Sequence, residues 1–146
     1  MMDVTPNQTP LFGIELIRDY VLTDLLGSDY RQVIYWAGKR LARQFPVVDE
    51  SELASFFEQA GWGMLEIKKR KGTVISFVLS PPDTTRDERP QGYFQLEAGF
   101  LAEQFSRFNG CVAEGYAETS KEFVQITVQI DPKDPLEPIG RTLHRM

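Results

Sequence analysis

The chain has little of what catalysis, cross-linking or membrane insertion would need. Cys111 is its one cysteine in 146 residues. No internal disulfide can form, and a lone thiol fits a reducing, cytoplasmic setting. The one histidine, His144, sits beside Arg145 with no partner at zinc-ligand spacing. It is also remote in sequence from Cys111, which therefore lacks an evident base. No apolar run approaches the ~18 residues of a membrane span, and Met1 to Thr9 has no apolar core of the signal-peptide kind. Positive charge is scarce: 16 Lys and Arg against 21 Asp and Glu, a net charge of -5. That balance disfavours nucleic acid as a partner. There is no phosphate-cradling glycine loop, G-x-S-x-G elbow or H-E-x-x-H helix. The expectation is a chain without catalytic residues, metal or cofactor.

What is present is ordinary for a globular domain: 42% hydrophobic and 25% charged residues. At this length a single domain buries roughly 70% of its unfolded surface without staples. Thr9-Pro10 has the chemistry of a helix start. Ile14, Ile17, Val21 and Leu25 then follow at helical spacing, predicting an inward stripe that ends at Gly27. A second helix begins at Ser28 or Asp29, carries Tyr30, Ile34, Ala37, Leu41 and Phe45 as its stripe, and stops at Pro46. Asp49 and Glu52 have capping-box spacing for a short third helix with Leu53, Phe56, Phe57 and Ala60 inward.

The period then changes to two. Leu65 and Ile67, then Ile75, Phe77 and Leu79, alternate with polar or smaller residues around Arg70-Lys71-Gly72. A three-residue loop there predicts Leu65 opposite Phe77 and Ile67 opposite Ile75. Ser80 to Gly92 reads as a loop. Phe94, Ala98, Leu101, Phe105 and Phe108 predict a helix over 93–108 that ends at Asn109-Gly110. A second hairpin follows. A two-residue turn at Ser120-Lys121 would pair Ala117 with Val124, Gly115 with Ile126 and Ala113 with Val128. This places a small face (Cys111, Ala113, Gly115, Ala117) beside branched residues. The expected architecture is α/β (α+β): N-terminal helices packed on a twisted, mostly antiparallel four-stranded sheet of two hairpins. A single domain would cover 10–130, with a flexible tail over 131–146.

Tyr35 to Leu41, Gly61-Trp62-Gly63, Ala98-Gly99-Phe100-Leu101 and Cys111 to Gly115 together resemble the TRAPP-subunit and vinyl-4-reductase fold group, related to haem nitric-oxide sensor domains. More closely, the chain resembles the YslB-like family of bacterial proteins. The resemblance covers roughly residues 10–130 and implies the same helix-on-sheet fold. Its members differ in role, from dimerising scaffold subunits to holders of acyl chains, hydrocarbons or porphyrin, so the fold alone transfers none of these. A haem site is not implied, because His144 lies outside the matched segment.

The candidate residues divide in two. The small strand face and the helix over it offer room for a small apolar ligand such as an acyl chain, at Trp62, Leu101, Phe105, Cys111 and Ala113. Trp62, between two glycines, would cover the cavity mouth. Each also has a plain structural reading, since free cysteine and helically spaced aromatics usually fill cores. Phe12, Leu16 and Leu22 lie off the main stripe of the first helix and are candidates for a dimer interface. Lys68-Lys69-Arg70-Lys71 reads as a solvated hairpin tip, and Glu97, Glu103, Glu114 and Glu118 as wet faces. The expected function is a cytoplasmic, non-catalytic binding or scaffold domain that self-associates or takes a protein partner. The alternative is a carrier or sensor of a small hydrophobic ligand.

Overall fold

A computed structural model describes residues 11–82, 89 and 92–136; His144 and most of the expected tail lie outside them. The first helix, α1, is compound. Leu11–Glu15 and Leu22–Leu26 are α-helical, and Leu16–Val21 between them is a π-turn. The residues that turn inward are Ile14, Arg18, Leu22 and Leu26, each four apart. At 100° per residue, four-residue steps would carry this face about 120° round the helix by Leu26. The wider i→i+5 turn takes up most of that drift. This overturns the stripe expected from α-helical spacing: Ile17, Val21 and Leu25 face solvent.

Helix α2, Tyr30–Gln44, buries Tyr30, Ile34, Gly38 and Ala42. Ala37 and Leu41 are only half-buried and Phe45 is exposed. The inward line runs through glycine because α2 crosses the later helix α4, Gln95–Asn109, at backbone contact. A Cβ on Gly38 would stand 2.1 Å from the carbonyl oxygen of Leu96, and one on Gly99 2.1 Å from that of Tyr35. Only a glycine pair allows this approach. After α2, Asp49 accepts a hydrogen bond from the Ser51 amide, and Glu52 reaches back to the Val48 amide. They start a 3-10 turn and the short helix α3, Leu53–Gln59.

The sheet order is β1-β2-β4-β3, with every neighbouring pair antiparallel: β1 Met64–Lys71, β2 Val74–Ser80, β3 Cys111–Thr119 and β4 Val124–Pro135. Both hairpin registers differ from expectation by two residues. Leu65 pairs with Leu79 and Ile67 with Phe77, because the turn is the two residues Gly72 and Thr73; a bulge between Ile67 and Lys69 takes up the remaining residue. Ala117 pairs with Ile126, Gly115 with Val128 and Ala113 with Ile130. Here the turn is longer, closed by Ser120, whose amide and hydroxyl both donate to the Phe123 carbonyl. A slip of two leaves side chains on their expected faces, whereas Lys69 to Lys71, beyond the β1 bulge, are slipped by three and change faces. Strand β4 continues to Pro135, past the point where the tail was expected to begin, and the Leu136 amide donates to Gly110 O.

Helix α4, Gln95–Asn109, lies between α2 and the sheet and is buried on nearly every side. Its polar buried groups each satisfy a group elsewhere, as burial demands. Gln104 accepts from the Val47 amide and donates to Phe45 O, and Gln95 and Ser106 serve β3.

Candidate functional site

The small face of β3 is occupied by the protein itself. Helix α4 lies so close that a Cβ on Gly115 would meet Ala98 O at 3.0 Å. Leu101, Phe105 and Ala113 are core residues. Phe105 packs edge-on to Phe77 at 5.7 Å, and Trp62 sits edge-on to Phe57 and Phe100 at 4.9 and 5.3 Å. Cys111 is half-buried at the start of β3, opposite Pro135. The first four thus belong to one aromatic and aliphatic core, and Cys111 lies at its margin.

Strand β3 is an edge strand, yet three of its outward amides are taken. Ala113 N donates to Ser106 Oγ at 2.8 Å, Gly115 N to the Tyr35 hydroxyl at 2.9 Å and Ala117 N to Gln95 Oε1 at 2.7 Å. Tyr35 in turn donates to Glu114, which also accepts from Lys39 at 2.8 Å. Burial tends to raise the Glu114 carboxyl, but the Lys39 and Tyr35 hydrogen bonds outweigh it and hold the group below its ordinary value. Burial, helped by Glu114, lifts the Tyr35 phenol. The opposite edge, β1, carries Lys68, Lys69, Arg70 and Lys71; Arg70 is paired with Glu50. Side-chain caps close one edge and charge and a bulge protect the other, so neither invites strand addition.

Spacing alone did not reveal the most polar buried cluster. Arg18, from the π-turn, is 7% exposed, and Glu97 of α4 is fully buried rather than on a wet face. The two form a bidentate pair, at 2.7 and 2.5 Å, and Arg18 also donates to Tyr93 O at 3.2 Å. Burial lowers the Arg18 guanidinium, and the Glu97 carboxylate more than reverses it, so the net shift is upward. Tyr93 lies under Arg18 and Arg89, each 4.5 Å from its ring centre, and donates to Asp19. Burial raises the phenols of Tyr30 and Tyr93. A cleft bordered by Ile14, Arg18, Trp62, Pro81 and Tyr93 opens beside the cluster, with a volume of about 30 Å³. That is space for about two waters. Among the described residues no three His, Cys, Asp or Glu side chains gather as metal ligands would. A signal for Arg18 existed in the spacing of four that joins it to Ile14 and Leu22; Glu97 had none, since its partner is 79 residues away.

The pair anchors α1 by its middle, and Arg18 is the only buried residue of that helix. The other face of α1 is apolar and exposed. Phe12, Leu16, Ile17, Tyr20, Val21 and Leu25 are between 43% and 72% exposed. Of the three expected interface residues, Phe12 and Leu16 lie on this face, whereas Leu22 packs against the core. No helix among the described residues is long and apolar enough to cross a membrane.

The crystal structure of a vinyl-4-reductase family protein from Methanocaldococcus jannaschii has a similar fold. Its TM-score is 0.63 at 20% sequence identity, over 84% of this chain and 82% of that one. The protein thus shares the α+β fold of that structure, helices on a four-stranded antiparallel sheet, the architecture expected from its sequence. The Bacillus subtilis (strain 168) protein described as "Uncharacterized protein YslB" is 43% identical over 129 residues, 86% of this chain and 87% of that protein. The family described as "Protein of unknown function (DUF2507)" matches residues 11–130, and the chain belongs to it.

Proposed function

We propose that the protein is a non-catalytic cytoplasmic binding or scaffold module that acts as a homodimer. The carrying observation is the row of six exposed apolar side chains on α1. Taking about half of each side chain as accessible, the row offers roughly 600 Å² per protomer, so a dimer would bury about 1,200 Å², the lower end of stable interfaces. Patches of this size on a monomer usually mark an interaction surface. The closed sheet edges support the helix rather than a strand as the meeting surface. A carrier of small apolar ligands has less behind it, because α4 already fills the small-residue face and the cleft beside Trp62 is too small for an acyl chain.

Sedimentation equilibrium of the full chain tests the reading. A dimer is expected, and Leu25→Glu, at a position 72% exposed, is expected to weaken it by roughly tenfold or more. A strict monomer at high concentration would remove the proposal.

A further inference from the structure

Six of the seven exposed apolar residues of α1 have a symmetry of their own; the seventh, Leu11, borders the cleft with Ile14 and Arg18 instead. Phe12 and Leu25, Leu16 and Val21, and Ile17 and Tyr20 are each centred on one point, midway between Arg18 and Asp19. Read in either direction, the spacings are the same. A two-fold contact between copies of one helix requires this property, because each residue must meet its mate on the partner. From this, and resting on the homodimer reading above, we infer that two copies pair through antiparallel α1 helices, with Phe12 of each against Leu25 of the other.

The π-turn makes such a face possible. In a regular α-helix at 100° per residue, these six positions would spread over about 220° of the helix surface, too broad for one contact. The wider turn over Leu16–Val21 draws Leu25 back towards Phe12 while keeping Arg18 on Glu97. One insertion thus serves both faces. Arg18 fixes the inner face to α4, which leaves the outer face rigid before the partner arrives. The charges of α1 outside the buried cluster, Glu15 and Asp24, are both acidic; its one basic residue, Arg18, is buried with Asp19 against Tyr93. That composition opposes an anionic membrane surface, which favours basic flanks. A second copy has the matching apolar row, centred on the same point.

Thiol cross-linking tests the register. In a Cys111→Ser background, Phe12→Cys and Leu25→Cys are made separately. In the antiparallel dimer two identical thiols stand about 20 Å apart along the axis, beyond the ~7 Å between Cα atoms that a disulfide spans. Each variant alone should therefore stay uncross-linked under mild oxidation, and their mixture should yield the mixed disulfide. Phe12→Lys and Leu25→Glu provide a second measurement: each should dissociate alone and reassociate when mixed, by sedimentation. Self-cross-linking of either single variant as readily as the mixture, or a dimer giving no mixed product and no charge rescue, would overturn the antiparallel pairing while leaving self-association in place. A monomeric parent protein would overturn both.

Discussion

Replacing Gly38 by alanine tests the reasoning about the helix crossing most directly. In an exposed helix the change stabilises by up to about 1 kcal/mol, because alanine is the better helix former. At Gly38 the new methyl would lie 2.1 Å from Leu96 O and 2.9 Å from Phe100 N, both backbone atoms that no rotamer change can move. Ordinary contact begins near 3.4 Å, so α2 and α4 must part by more than 1 Å. Forced overpacking of this kind costs about 3 kcal/mol. Less the propensity gain, the variant should lose about 2 kcal/mol, which lowers a urea midpoint by about 1 M. Gly13, with nothing within 4 Å of a Cβ, is the internal control: Gly13→Ala should hold or raise the midpoint. Gly99→Ala should behave like Gly38→Ala. The double variant should lose less than the sum, since one parting of the helices accommodates both methyls. A Gly38→Ala protein as stable as its parent would refute the backbone-contact crossing.

Two further outcomes follow from the buried polar groups. Glu97→Ala leaves the Arg18 guanidinium buried and uncompensated and should cost about 3–5 kcal/mol by chemical denaturation, whereas Arg18→Met with Glu97→Leu should recover much of it; equal losses in both variants would argue against the pair as the reason. Burial raises the phenols of Tyr30, Tyr35 and Tyr93, so the folded state keeps protons that the unfolded chain releases above about pH 10. Their contribution is complete below that pH and is lost as pH rises beyond it, and urea midpoints from pH 8 to 11 should fall steeply only at the alkaline end; a flat profile would count against it.

The sequence by itself determined the element order, the α+β class and the parity of the strands away from their bulges, because these rest on local chemistry. Pro46 cannot continue a helix and Gly110 takes the left-handed cap that ends one, and alternation assigns a side chain to a face whatever the register. For that same reason the alternation of β1 to β4 left the registers open, and turn lengths and a bulge decided them. The tertiary structure alone decided the site. The apolar spacing of α1 was compatible with either face turning inward, and a π-turn held by Arg18 on Glu97 selected Ile14, Leu22 and Leu26. Whether Glu97 meets water or a guanidinium depends on a residue 79 positions away. Likewise, Tyr35, Gln95 and Ser106 close the β3 edge only because α2 and α4 are packed against it. Periodicity reports how a segment divides polar from apolar residues, while burial of a charge or closure of an edge is settled by what the rest of the chain brings to meet it.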